Sequence, residues 1–287
     1  MPPKSRPTTA RQLRLGAELR KMRERAGLSS TEAGRLLGTN QAQISNIEAG
    51  RFGVSPDRMR TLARNYSCCD AELIDGLISM TGERRRGWWE EYRSVLPPGL
   101  LDLAELEHHA TALRSAYVSH LPGLLQTAEH AREIFRQVVP ALSPPEVEHR
   151  ISHRIKRQAI LYRDHPTPYT AIIHEAALRM RFGGTSTALH QLQHIIEMTE
   201  HNHVTVRVIP FAAGSFPGSG QSILYAHGHV AQLDTVHLDT AHGSELVDAE
   251  AQLEKYRIVL DRMETVALPE DTSRDLIWSV IHSLKGE

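Results

Sequence analysis

Along the first eighty residues, apolar positions recur with the period of helices packed on one side. Leu15, Leu19 and Met22, spaced by four and three, predict an amphipathic helix from about Gln12 to Arg25. Gly27 closes it as a left-handed cap. Ser29, with Glu32 three residues on, has capping-box spacing and opens a second helix. Ala33, Leu36 and Leu37 are its inner face, and Gly38 stops it. Gly38-Thr39-Asn40 is the turn. Asn40 caps a third helix over 41–49, with Ile44 and Ile47 inward. Ser55 caps a fourth, with Pro56 at its first position and Met59, Leu62 and Ala63 toward the core. Asp70 caps a fifth, with Leu73, Ile74, Leu77 and Ile78 apolar. Gly34 lies where the second and third helices must approach closely. Two short helices joined by a tight turn make a helix-turn-helix unit.

Beyond Trp88-Trp89 the pattern mixes two periods. Ala112 to Ser119 predicts a strand. Pro144 to Tyr162 predicts a helix with the stripe Val147, Ile151, Ile155 and Ile160. Tyr169 to His174 is rich in strand formers. Thr185 to Glu200 is helical, and Val204, Val206 and Val208 alternate with Thr205 and Arg207 as a half-buried strand. Gln221–Tyr225 and His229–Asp239 predict further strands. Ser244–Thr265 and Ser273–Leu284 predict closing helices. The fold class is α+β: an all-α five-helix domain over 11–80, a linker over 81–87 that contains Glu83-Arg84-Arg85-Arg86-Gly87, and a mixed α+β domain over 88–287.

Charge divides the chain the same way. Residues 1–66 carry 13 basic and 5 acidic side chains, a net +8, while the remaining residues carry 20 and 29, a net -9. A basic head on an acidic body suits a domain that meets phosphate. Apolar content of 40 % and charged content of 23 % are those of a globular protein. No apolar run reaches the roughly 18 residues of a membrane span. The polar, Pro-rich start lacks a secretory h-region, so the expectation is a cytoplasmic protein without a membrane role. Cys68 and Cys69 are adjacent, a poor geometry for a disulfide, and read as small half-buried residues.

The run Leu19 to Ser29 and the stretch Gln41-Ala42-Gln43-Ile44-Ser45-Asn46-Ile47-Glu48-Ala49-Gly50 resemble the Xre (lambda repressor-like) DNA-binding domain. The resemblance spans some 60 residues. It implies that 41–49 is a recognition helix lying in the major groove of double-stranded DNA, with Gln41, Ala42 and Asn46 facing the bases. An amide can bond adenine bidentately and a small methyl can meet thymine. Gln43 and Ser45 are backbone-contacting candidates, although Gln43 can equally complete the Asn40 cap. Arg51 and the arginines of the first helix would hold phosphate. Where such domains carry Gln at the start of the second helix, this chain has the shorter Ser30. Arg23 and Glu48 stand where the family pairs an ion pair that orients the recognition helix. Paired half-sites imply a homodimer.

A second resemblance covers nearly all of 88–284. Its motifs are Leu106-Glu107 with Ala110, Leu121-Pro122-Gly123-Leu124-Leu125-Gln126-Thr127-Ala128-Glu129 with Ala131-Arg132, Arg154 and Arg157-Gln158 before Ile160-Leu161, Glu175-Ala176-Ala177-Leu178-Arg179, Gln191-Leu192 and Val208-Ile209-Pro210-Phe211. They resemble the WhiJ-type, antitoxin-like transcription factors of actinomycetes. The resemblance implies transcriptional control, with the C-terminal domain meeting a small partner protein or a small-molecule ligand and helping to dimerise. An alternative is an antitoxin-like protein that mainly binds a small partner protein and uses DNA for autoregulation. His237-Leu238-Asp239 stands where such proteins carry Tyr-x-Glu.

Seventeen histidines invite a metal reading. The pairs His149/His153, His190/His194, His201/His203 and His227/His229 each lack a third ligand with fixed geometry, so no metal and no cofactor is expected. Gly-x-Ser-x-Gly and phosphate loops are absent, and Gly214–Gly220 lacks a strand-to-helix context. No catalytic residue is assigned; the chain reads as a regulator and not an enzyme.

Overall fold

The computed structural model describes residues 8–81, 87–240 and 242–286. The sequence-predicted junction at Glu83–Arg86 therefore lies outside the described residues. The chain divides into two units, the first holding residues up to Trp88 together with His229–Leu233, the second the remainder.

The first unit is built from α1 (Ala10–Arg25), α2 (Ser30–Leu36), α3 (Gln41–Glu48), α4 (Pro56–Asn65) and α5 (Ala71–Ser79). The first helix starts two residues earlier than its apolar period suggests, because Thr9 and Gln12 form a capping box. Ser29, Asn40, Ser55 and Asp70 each accept a backbone N–H as N-caps. Leu15, Leu19, Met22, Ile44, Ile47, Met59, Leu62, Leu73 and Leu77 form one core, which Leu233 joins. Within this unit the Gln232 carbonyl accepts from Arg14 at 2.5 Å, and its amide donates to the fully buried Glu18 at 2.8 Å. Leu36 is 53 % exposed and does not belong to the inner face. Ala33 and Leu37, one turn apart, take that side of the short helix.

The second unit runs α6 (Pro98–His109), β1 (Ala112–Tyr117), α7 (Ala128–Arg136), α8 (Pro144–Arg157), β2 (Tyr169–His174), α9 (Glu175–Arg179), α10 (Gly184–Met198), β3 (Val204–Ile209), β4 (Ile223–His227), β5 (Thr235–Thr240), β6 (Gly243–Val247), α11 (Glu250–Val266) and α12 (Glu270–Lys285). The six strands lie in the order β3-β2-β1-β4-β5-β6. β1, β2 and β3 are parallel, and β4, β5 and β6 add antiparallel.

Three sequence expectations are corrected here. The helix expected to reach Tyr162 ends at Arg157, and Gln158–Leu161 tighten into a 3-10 turn. Ile155 is half-exposed while Arg157 and His153 turn inward. The helix expected from Ser244 begins only at Glu250, because Gly243–Val247 pairs with β5 as the edge strand. The strands expected at Gln221 and His229 begin at Ile223 and Thr235, where β1 and β4 supply ladder partners.

Side chains alternate across the sheet. One face carries Ala116, Ile172, Ile223, Tyr225, Val236 and Leu238 against Leu253, Leu260 and Met263 of α11. The other carries Leu113, Ala171, Ile173, Val204, Val206 and Val208 against α10 and α12. On this second face the register also sets Ser115 in line with Leu224 and His237. Polar groups thus enter an otherwise apolar layer. Glu107 of α6 and Arg157 of α8 meet there as a bidentate pair at 2.7 and 2.6 Å, both nearly inaccessible.

Three histidines of this unit are buried: His130, His153 and His237. Burial is the first cause that holds them down, to about 4, about 3 and about 4 respectively, with nearby cations adding to it. They are neutral when folded, whereas an unfolded histidine titrates near pH 6.5. The unfolded chain therefore binds more protons between pH 6.5 and 4, and stability falls as pH drops through that window. Each of the three contributes a loss of up to about 1.4 kcal/mol per pH unit there and nothing above pH 7. Melting of the full chain at pH 7 and pH 5 should show a lower midpoint at pH 5; equal midpoints would contradict their burial.

Candidate nucleic-acid interface

The turn between α2 and α3 is set by three local features. Ser29 and Glu32 close a capping box at the start of α2, with Glu32 accepting the Ser29 N–H at 2.8 Å. The Thr39 N–H donates to the Gly34 carbonyl at 2.8 Å. Asn40 Oδ1 accepts the Gln43 N–H at 2.9 Å and starts α3. Gly34 is required by proximity, since a Cβ there would lie 2.9 Å from the Asn40 carbonyl carbon. Gly16 of α1 is more tightly constrained: a Cβ there would stand 2.3 Å from the Glu48 carbonyl oxygen. The back of α3 therefore rests on α1 and on the end of α2 at backbone distance.

An ion pair locks the same contact. Arg23 donates through Nε to Glu48 Oε1 at 2.6 Å and through Nη2 to Oε2 at 2.9 Å. Its Nη1 donates to the Leu28 carbonyl at 2.7 Å. Both side chains are about nine-tenths buried. The hydrogen bond to Glu48 holds the Arg23 guanidinium above its usual range against the cost of burial. Burial, and next the Glu48 charge, push the Tyr66 hydroxyl up to about 12. Forked guanidinium–carboxylate geometry fixes orientation as well as distance, so α3 cannot roll about its axis without breaking two charged hydrogen bonds.

With Ile44 and Ile47 buried, the opposite side of α3 is open. Gln41, Ala42 and Ser45 are exposed and form one outward row. Asn46 is half-buried, and its Oδ1 accepts from Arg51 at 3.4 Å. Gln43 is turned toward the protein: its amide nitrogen donates to the Thr39 hydroxyl, and its oxygen accepts from Arg58 at 3.1 Å. Ser30 is half-buried at the first position of α2. Arg51 is exposed just past the C-terminal end of α3.

The cations sort differently from the sequence expectation. Most arginines of α1 are committed internally: Arg11 to the Ser79 carbonyl, Arg14 to Glu18, Arg20 to Glu24 and Arg23 to Glu48. Their partners lie one turn away on the same helix or across the core. Arg25, Arg35, Arg51, Arg58 and Arg64 have no carboxylate within ion-pair distance among the described residues. Arg58 was not legible as a site residue. It is close to Gln43 only because α4 packs beside the turn, and its own neighbours in sequence do not reveal that.

A double-mutant cycle tests the lock. Arg23→Met strands a buried carboxylate and should cost about 3–5 kcal/mol in urea unfolding. Arg23→Met combined with Glu48→Met should cost clearly less than the two single losses added together. Strict additivity would mean that the two charges do not act as a pair.

Residues 14–76 match the family of helix-turn-helix domains. That match supports DNA binding by the five-helix unit and a regulator of the Xre type. No curated protein and no solved structure matches the chain. Residues 100–279, more than half of the chain, match the family described as a domain of unknown function, DUF5753. The chain belongs to the DUF5753 family and carries a helix-turn-helix DNA-binding domain ahead of the family's α+β unit.

Proposed function

We propose that the protein is a sequence-specific transcriptional regulator of the Xre type that reads double-stranded DNA with α3. The observation that carries this reading is the outward row of Gln41, Ala42 and Ser45 on a helix whose inner side is held at backbone distance and by a charged fork. Gln41 reads an adenine, Ala42 meets a thymine methyl, and Asn46 reads a second base once Arg51 turns to phosphate. Ser30, Gln43 and Ser45 approach the backbone. Arg51, with Arg58 beside it, supplies charge for positioning and not for specificity. The protein acts as a homodimer on paired half-sites, in the cytoplasm where the DNA lies. The unit over 88–287 receives a signal, a small-molecule ligand or a partner protein, and passes it to the DNA-binding domain.

A preferred operator selected from random duplexes provides the test. On that site Gln41→Ala should weaken binding by about 1–3 kcal/mol, with random DNA little affected. Arg51→Gln should weaken both sites alike and reduce the salt slope by about 1. Equal loss on selected and random DNA for Gln41→Ala would remove α3 from the reading role.

A further inference from the structure

Near the polar groups buried against the sheet of the second unit lies an arginine with no carboxylate partner among the described residues. Arg157 is paired through Nε and Nη2 with Glu107. Arg154, one turn earlier on α8, has no carboxylate partner among the described residues. Its Nη1 donates to Gln126 Oε1, and the guanidinium lies over the Phe135 ring, 4.7 Å from its centre. Gly123 gives it room, since a Cβ there would stand 3.2 Å from Nη1. Gln126 is itself held in place: its amide nitrogen donates to the Leu121 carbonyl at 2.6 Å, and its own carbonyl accepts from Gln158 at 2.6 Å. Gln191 ties the same loop from α10, through Leu125 and Thr127. The arginine is thus positioned by a braced loop, and its remaining N–H groups have no protein partner among the described residues.

Its surroundings fit a ligand and not a sealed core. Arg154 keeps accessible surface although protein packs around it. Tyr117, at the end of β1 on the same sheet face as Ser115, has a hydroxyl without a hydrogen bond among the described residues. His130 is 1 % exposed, and neither ring nitrogen has a partner. His130 packs edge-on to Phe182, which also stacks on the ring of exposed His120. His120, His130 and Arg154 are near enough to feel each other's charge. A buried imidazole with no hydrogen-bond partner is costly. Burial, and next the neighbouring Arg157, hold the Arg154 guanidinium down to about 10, the direction an anion would reverse. Among the described residues, the carboxylates that act on it are the paired Glu107 and Asp239, which is exposed and screened by solvent.

We propose that Arg154, with Gln126, Tyr117, His120 and His130 around it, is the binding site for a small molecule bearing a carboxylate or phosphate group. This deepens the signal-receiving reading of the second unit and rests on it. The oxyanion takes the free N–H edge of Arg154 in a planar, charge-assisted contact, Tyr117 donates to it, and the two imidazoles supply the remaining polar wall.

The test melts full-length protein in chloride, inorganic phosphate and succinate at matched pH and ionic strength. One oxyanion should raise the midpoint in a saturable way relative to chloride. A response to phosphate alone assigns a phosphoryl ligand, and a response to succinate alone a carboxylate. Arg154→Met, which keeps the stem on Phe135, should weaken that binding at least about tenfold. Arg132→Met, which removes an exposed pair with Glu148, should leave it intact. No response of the wild type to either oxyanion overturns the proposal, even if Arg154→Met fails to fold; so does an undiminished response in a folded Arg154→Met protein. Operator binding measured in the same buffers separates the two readings. Oxyanion binding at Arg154 that leaves operator affinity unchanged defeats the signalling role alone. Operator release by an uncharged metabolite without any oxyanion response defeats the oxyanion site alone.

Discussion

A helix that is to read DNA must be held from behind, because its outer side has to stay free. Here the hold is a backbone-to-backbone contact at Gly16 with a guanidinium–carboxylate fork beside it. Neither element works well alone. The close approach brings two helices together but leaves them able to rotate, and the ion pair resists rotation but needs that approach to stay dry. Together they leave Gln41, Ala42 and Ser45 as the exposed side of α3. The specificity proposed for this helix depends on that division of labour.

The second unit meets the opposite problem. Its sheet is covered on both faces by helices, so every polar group on the inner faces must find a partner or leave a debt. Glu107 and Arg157 satisfy each other. Gln126, Gln158 and Gln191 satisfy the carbonyls of the 121–127 loop, which lacks a ladder of its own. Among the described residues, both ring nitrogens of the buried His130 lack a hydrogen-bond partner, as do single nitrogens of Arg150, His194 and Arg257. A buried imidazole without a partner is a place that an external group can complete, and its position near Arg154 makes this cluster informative about function.

Among the described residues, no group of three histidine, cysteine or carboxylate side chains is placed to hold a metal ion, and no helix is long and apolar enough to cross a membrane. Of the histidines picked out by spacing, His203 contacts the Leu161 carbonyl, and His194 and His227 lie near Glu197 and Asp234. Spacing along a helix or strand shows which side chains share a face. It does not show what stands opposite them.

What could be read from the chain alone was local. Caps at Ser29, Asn40, Ser55 and Asp70, the turn after Gly38, and the inward positions Ile44, Ile47, Met59 and Leu62 follow from backbone hydrogen bonding and helical period, which act within a few residues. The strand Val204–Ile209 and the two closing helices were legible for the same reason. Only the tertiary structure decided matters that depend on who lies across the gap. It made Gly243–Val247 a strand by offering the open edge of β5, turned Ile155 outward, paired most of the arginines of α1 within the unit, set Arg58 beside Gln43, added His229–Leu233 to the helical unit, and brought Gln126 and Arg154 together across 28 residues of chain. Such contacts are set by long-range packing and by the satisfaction of buried charge, and neither leaves a periodic trace in the sequence.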